Sequence, residues 1–254
     1  MQSLTAVFTL SPALDLPSQS FTGIPDLATL YSDLSSRYDV IEEQIHLDSC
    51  SFTMLRVRDT NVLLEQIHPS TFRGDERLPY WAELWPSSVE LARSCLGISN
   101  LAGRRVLELG CGLGLAGIAA ASRGARVLLT DYEPDALRFA RYNASKNLSW
   151  DVIEERVEVR LLDWRSDEEV GQFDMIMGAD VVYEQRNFLP ILKFVRRALR
   201  REGCAVFTDP DRSTGMSFFA LAEREGFDVR INSTQLQIPG GSSTILVGEL
   251  RLRR

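Results

Sequence analysis

The sequence predicts an α/β fold: a mostly parallel sheet of seven strands ending in an antiparallel C-terminal hairpin, with a small N-terminal α+β extension. Three observations predict it. Strand and helix patterns alternate from about residue 85 onward, as parallel crossovers require. Five strand segments each end on an acid, with Glu108, Asp131, Asp163, Asp180 and Asp209 at or near their C-terminal ends. The first of those strands runs into Gly110-Cys111-Gly112-Leu113-Gly114, whose missing side chains let a ligand approach the backbone.

Residues 11–25 carry Pro12, Pro17 and Pro25 among several Ser and Thr and read as an irregular arm before a short helix over 26–38. Residues 41–47, 51–57 and 61–67 follow as strands of a small antiparallel unit, the last two joined by a tight Arg58-Asp59-Thr60 turn. The polar segment 68–79, with Pro69, Gly74 and Pro79, marks the boundary between an extension over residues 1–78 and a main domain over residues 79–254. Val89, Leu91, Ala92, Cys95 and Leu96 then recur at helical spacing, with Pro86 in the first turn and Gly97 at the stop.

A strand from 106, a helix over 115–123 closed by Gly124, a strand from 126, a helix over 134–147 opened by Pro134 and a strand over 157–162 continue the alternation. A fourth strand covers 173–179. Phe188, Ile191, Leu192, Val195 and Leu199 give the next helix its apolar stripe, which Gly203 ends before a fifth strand over 204–208. Lys193, Arg196, Arg197, Arg200 and Arg201 read as one basic, solvated face of that helix. After a helix at 215–225, the strands at 227–233 and 244–250 are joined through Ile238-Pro239-Gly240-Gly241, a connection too short for a parallel crossover.

With 254 residues, 44% hydrophobic and 25% charged, the chain can bury one sizeable core and has a globular composition. A net charge of −7 is unsuited to a general nucleic-acid binder, and no nucleic-acid partner is expected. Residues 1–75 hold ten acids against four bases, so the extension is the acidic part. Cys50, Cys95, Cys111 and Cys204 form neither a CxxC pair nor a secreted disulfide framework, and no Lys or Arg precedes Arg37. Both features predict a reducing, cytoplasmic compartment without a leader peptide. His46 and His68 are too few for a His-based metal site, so no metal is expected. The uncharged run over 109–122 is 14 residues, short of the roughly 20 that span a bilayer, and no membrane partner is expected.

In an open parallel sheet the ligand crevice lies outside the C-terminal strand ends. A row of carboxylates there repels a pyrophosphate and attracts a cation. Residues 112–117 also satisfy the dinucleotide pattern GxGxxG, and Asp131, 19 residues beyond Gly112, suits the ribose hydroxyls of either a nicotinamide or an adenosyl cofactor. Glu108 suits an amino-acid ammonium and is misplaced beside phosphates. Acid row and glycine turn together point to a cationic, nucleotide-like cofactor, and S-adenosylmethionine, with its ammonium and sulfonium, fits. Asp163 can accept from an adenine amino group and Trp164 can cover the base; the alternative is a turn Asp and a core Trp. Asp180 and Tyr183 can hold an amine by charge and cation-π contact, the alternative being a helix N-cap and a packed ring. Trp81 reads as a packing residue.

Together these residues resemble the class I, seven-strand S-adenosylmethionine-dependent methyltransferases with their Rossmann-like sheet, and more closely methyltransferase family 16, which includes protein-lysine methyltransferases. The resemblance covers about residues 79–250. It rests on Pro79-Tyr80-Trp81-Ala82-Glu83-Leu84-Trp85-Pro86, on residues 106–114, and on Thr130-Asp131, Leu162-Asp163-Trp164 and Gly178-Ala179-Asp180-Val181-Val182-Tyr183. It implies cofactor contacts from Trp85, from the turn holding Gly110, Cys111, Gly112 and Gly114, from Asp131 at the ribose, and from Trp164 and Ala179 around the adenosyl group. Asp180 and Tyr183 match the family's acid-x-x-aromatic motif at the acceptor site. Thr208-Asp209-Pro210-Asp211-Arg212 looks like the Asp-Pro-Gly-Arg element of the branch that methylates the electron-transfer flavoprotein β subunit, with Asp211 in place of its Gly.

The expected function is therefore S-adenosylmethionine-dependent N-methylation of lysine in a protein substrate, with S-adenosylhomocysteine as product. Three other readings stand beside it: a small-molecule amine methyltransferase, an NAD-dependent oxidoreductase built on residues 112–117, and a non-catalytic cofactor-binding module. No feature of the sequence sets an oligomeric state.

Overall fold

Asp26 caps the first helix, α1 (Leu27–Arg37), its Oδ1 accepting from Thr29 N at 2.9 Å and so satisfying a first-turn amide. The structure, a computed structural model, describes residues 26–65, 78–238 and 241–253. The expected arm over 11–25 and most of the boundary segment 68–79 lie outside them. Next, β1 (Val40–Leu47) and β2 (Cys50–Val57) pair antiparallel as a two-stranded sheet.

The strand expected over 61–67 is instead helical where described, as α2 (Asn61–Glu65). The Asp59 carboxylate accepts from Asn61 N at 3.0 Å, and Thr60 O accepts from Leu63 N and Leu64 N. Those local bonds commit the backbone to a turn of helix before a strand can pair.

The main body follows as α3 (Pro86–Gly97), β3 (Arg105–Leu109), α4 (Leu115–Ser122), β4 (Arg126–Asp131), α5 (Pro134–Asn147), α6 (Trp150–Arg156), β5 (Val157–Leu161), β6 (Phe173–Ala179), α7 (Phe188–Ala198), β7 (Leu199–Asp209), α8 (Ser213–Arg224), β8 (Phe227–Ile238) and β9 (Gly241–Leu252). The seven strands order as β5-β4-β3-β6-β7-β9-β8. The first five are parallel, and β9 is antiparallel to both β7 and β8. This is the mostly parallel sheet with a terminal hairpin that the patterns predict. Strand order reverses between β3 and β6, which sets the ligand crevice at the C-terminal ends of those two strands.

Period-2 alternation divides the core in two. Val106 on β3 packs with Leu91, Ile118 and Phe139 on the α3, α4 and α5 side. Its neighbour Leu107 packs with Ile191, Val195 and Phe218 on the α7 and α8 side. Helix α6, built on a polar sequence, had no apolar stripe strong enough to announce it.

Gly203 does not end the preceding helix, which stops at Ala198, but lies within β7. There a Cβ would come 2.9 Å from Asp174 O. Pairing of β7 with β6 jumps from Phe173↔Leu199 to Met175↔Cys204, so β7 bulges opposite Asp174. Arg200 and Arg201 accordingly leave the helix face, and Arg200 Nη1 pairs with Asp174 Oδ1 at 2.6 Å.

The β1–β2 unit is joined to the main body by two asparagines four residues apart on α5. Asn147 brackets the backbone of Thr53, Oδ1 accepting from its N at 2.7 Å and Nδ2 donating to its O at 2.8 Å. Asn143 does the same to Leu55 at 2.7 and 3.1 Å. Four helical residues rise about 6 Å and two strand residues about 6.7 Å, so the two amides fall in register with alternate residues of β2. They act in place of a neighbouring strand. Asn143 Nδ2 also donates to Leu113 O at 3.0 Å, linking this unit to the glycine turn.

Asn143 and Leu55 are fully buried, so Asn143→Ala would strand the Leu55 amide and two carbonyls away from water. Urea unfolding should show a loss of about 2–4 kcal/mol. A loss below about 0.5 kcal/mol, the ordinary scale of surface changes, would show that the bracket does not hold the unit.

Candidate active site

The turn after β3 runs through left-handed backbone at Gly110 (φ 61°) and Gly112 (φ 50°). A Cβ on Gly110 would lie 2.8 Å from Val181 Cγ1 and 3.4 Å from Trp164 Cζ3, and one on Gly112 would lie 3.1 Å from Trp81 O. Both conformation and space therefore demand glycine. Cys111 N donates to Thr130 O at 2.8 Å and Gly112 N to Asp131 Oδ2 at 2.9 Å, which lock the turn against the end of β4.

One cavity opens over this turn. It is lined by Trp85, Glu108, Gly110, Cys111, Gly112, Gly114, Asp131, Trp164, Ala179, Asp180 and Tyr183, eleven of the twelve site residues expected from the sequence. The exception is Asp163. Its carboxylate faces Arg165 instead, taking Nε at 2.9 Å, Nη2 at 2.7 Å and the Arg165 amide at 2.9 Å. It lies outside the cavity because β5 ends at Leu161 and the following turn bonds to itself.

Glu108 lies beneath the turn, its Oε2 accepting from Gly117 N at 2.8 Å. Burial pushes its carboxyl up to about 8, against the lowering pull of that amide and with a small push from Asp131. Gly117 is a packing glycine, since a Cβ there would meet Leu129 Cδ2 at 2.1 Å, and such close helix–strand packing suits the dinucleotide and the adenosyl reading alike. Asp131 is 4% exposed and also accepts from Glu133 N at 2.9 Å. Burial raises it to about 6 although its backbone donors oppose the shift.

On the β6 side, Asp180 is buried in left-handed backbone (φ 56°) and its N donates to Thr208 O at 2.8 Å. Burial pushes its carboxyl up while Arg212 pulls it back. The Tyr183 ring meets Tyr80 edge-to-face at 5.6 Å, and burial, then the charge of Glu184, raises its hydroxyl to about 12. Trp85 Nε1 donates to Tyr80 O at 2.8 Å, fixing the other end of this aromatic wall. Trp81 packs on Tyr38 and Phe139 as expected, and it also lines the cavity.

Sequence reasoning assigned no role to Tyr80 or Arg212. Tyr80 stands inside the quoted aromatic motif. Arg212 follows Asp209 by three residues, and a row of buried acids calls for a counter-charge. Asp211, which stands where the flavoprotein-methylating branch has Gly, is itself left-handed (φ 49°). Asp is among the few non-glycine residues that tolerate that region.

A profile of the family described as lysine methyltransferase matches residues 80–225. Protein N-lysine methyltransferase METTL21A of Danio rerio is 38% identical over 154 residues, covering 59% of this chain and 65% of that protein. METTL21A of Xenopus tropicalis is 42% identical over 155 residues, covering 58% and 70%. The electron transfer flavoprotein beta subunit lysine methyltransferase of Xenopus laevis is 33% identical over 142 residues, covering 53% and 54%. The chain thus spans between about half and 70% of these curated relatives. Among solved structures, a putative RNA methyltransferase from Pyrococcus horikoshii superposes with a TM-score of 0.54 at 15% identity over 76% of this chain and 96% of that one. An O-methyltransferase from Bacillus cereus gives 0.51 at 19% identity over 66% and 83%. These two likenesses are of fold.

Glu108 and Asp131 sit above their ordinary values of 4.5 and 3.8, so the folded chain retains protons that the unfolded chain releases. Their contribution is fully present below the unfolded values and is lost as pH rises through about 6 for Asp131 and about 8 for Glu108. Urea unfolding between about pH 5.5 and 8.5 should show the ligand-free protein losing on the order of a few kcal/mol, and Glu108→Gln markedly less. Identical slopes for the two proteins would show that Glu108 does not carry the effect.

Proposed function

The chain belongs to the lysine methyltransferase family, and on that premise we propose that it transfers a methyl group from S-adenosylmethionine to a lysine amine of a protein substrate, releasing S-adenosylhomocysteine. The observation that carries this reading is a convergence. A single cavity is lined by the glycine turn, by Asp131, Trp164 and Ala179, and by Asp180 and Tyr183. The relatives' names support the acceptor class: they include lysine methyltransferases of the electron transfer flavoprotein beta subunit and of EEF1A.

The residues fit the cofactor. The turn is a cradle from which Cβ atoms are excluded at Gly110 and Gly112. Trp164 Nε1 is buried with no acceptor among the described residues, a donor left for a ligand. Asp131 accepts backbone amides, Gly112 N at Oδ2 and Glu133 N at Oδ1 among them, and its carboxylate keeps capacity for a ribose hydroxyl. Trp164 and Ala179 would border the adenosyl group, Trp85 would close one side, and Glu108 would meet the amino-acid end, where an ammonium would favour loss of its proton. When bound, the cofactor supplies an electrophilic methyl on a sulfonium sulfur.

At the mouth, Tyr80 and Tyr183 wall a passage suited to the alkyl stem of a lysine, and Asp180 orients the amine at its end. Alignment of nitrogen, methyl carbon and sulfur then provides much of the rate gain. We place the protein in the cytoplasm, a reading supported by the free thiols of Cys50, Cys95, Cys111 and Cys204.

Incubating the protein with methyl-labelled S-adenosylmethionine and extract of its source organism should yield methyl-lysine in a discrete protein after hydrolysis. Label confined to small molecules would replace lysine by a small amine as acceptor. Asp180→Asn, a change that positive φ tolerates, should lower kcat by about tenfold or more while affinity for the neutral S-adenosylhomocysteine stays within about twofold. Asp131→Ala should weaken cofactor binding by about tenfold or more, because it removes the ribose acceptors and a partner of the turn. Unchanged affinity in calorimetry would remove Asp131 from the ribose site.

A further inference from the structure

The Asp180 carboxylate is gripped by Arg212: Nη1 contacts Oδ1, and Nη2 lies 3.3 Å from Oδ2. The same Nη1 is 3.4 Å from Asp209 Oδ2, and Asp209 Oδ1 accepts from Arg212 N at 3.0 Å. The side chains of Asp180 and Asp209 are 6% and 0% exposed, while that of Arg212 is 37% exposed. Arg212 is therefore the solvent-side clamp on two buried strand-end carboxylates. It does not line the cavity, and it stands at the N-cap of α8.

A lysine arrives as an ammonium, which has no lone pair. Methyl transfer requires the neutral amine, so the ammonium first loses one proton to solvent; the nitrogen pair then forms the new N–C bond while the S–C pair stays with sulfur, and the methylated nitrogen remains an ammonium. A bare buried carboxylate beside the amine would hold it protonated. The ionisable neighbours of Asp180 and Arg212 do not relieve this: Tyr80, Asp131, Tyr183, Glu184, Asp209 and Asp211 are all neutral or anionic. Among the described residues, Arg212 is the cation within ion-pair distance of Asp180.

We propose that Arg212 is a positioning residue that keeps Asp180 as half of an ion pair. The acceptor site then presents an oriented hydrogen-bond acceptor without the full negative charge that would trap the incoming lysine as ammonium. The inference rests on the methyl-transfer reading above and deepens it by naming the group that sets the charge of the acceptor site.

Charge can be read without turnover, because S-adenosylmethionine carries a sulfonium and S-adenosylhomocysteine a neutral thioether. In calorimetry at neutral pH, Arg212→Gln should raise the preference for the sulfonium ligand by about tenfold, and Arg212→Lys should keep the wild-type ratio within about threefold. In the labelling assay, the pH midpoint of kcat should rise by about one unit in Arg212→Gln and stay in place in Arg212→Lys. A merely structural role would weaken both ligands alike and lower kcat equally at every pH, and that result overturns the proposal. Should Arg212→Gln not fold, Asp209→Asn, which leaves Arg212 to Asp180 alone, should shift the ratio toward the thioether; an unchanged ratio there also overturns it. Failure of the wild-type protein to bind either ligand would instead sink the methyl-transfer reading itself.

Discussion

The site depends on how the backbone amides around the glycine turn are satisfied. Left-handed backbone and close neighbours leave no room for side chains at Gly110 and Gly112. The amides of Gly112 and Gly117 are met by Asp131 and Glu108 from the ends of β4 and β3. Burying two carboxyls for this purpose is unfavourable, and both respond by binding protons more tightly than in water. The fold thus holds an electrostatic cost that a bound cation relieves, so the geometry that shapes the turn also biases it toward a positively charged ligand.

The N-terminal unit takes part in that geometry. Asn143 joins the backbone of β2 to Leu113 inside the turn, and Trp81 sets its carbonyl against Gly112. Tyr38 adds a second tie, donating to Asp135 Oδ2 at 2.6 Å on α5. The β1–β2 unit and the turn are therefore tied through one fully buried amide side chain. That unit and the main body share one apolar core, with Leu47, Met54 and Leu55 packed among Ala119, Phe139 and Met177.

The strand-end acids differ in what surrounds them. Asp163 is half-exposed and closed on Arg165, three residues' worth of local chain that needs no ligand. Asp180 is buried, reaches the cavity and shares its cation with Asp209. Desolvation separates these cases: the Asp163 pair lies at the surface and contributes little either way, whereas the Asp180 carboxylate is withdrawn from water and depends on Arg212 for its counter-charge.

Patterns carried by neighbouring residues were legible in the sequence. Alternation of period 2 and 3.6, Pro134 and Pro86 at helix starts, and the spacing from Gly112 to Asp131 depend on local backbone geometry, which the chain encodes wherever it folds. Hence the seven-stranded sheet, the terminal hairpin and eleven of the cavity's residues could be read in advance. Tertiary structure alone decided which acids are buried, which arginine neutralises which carboxylate, that Gly203 sits in a bulged strand, and that two asparagines stand in for a strand beside β2. Each of these rests on contacts between segments distant in sequence or on competition for solvent, and neither distance nor desolvation is written in residue spacing.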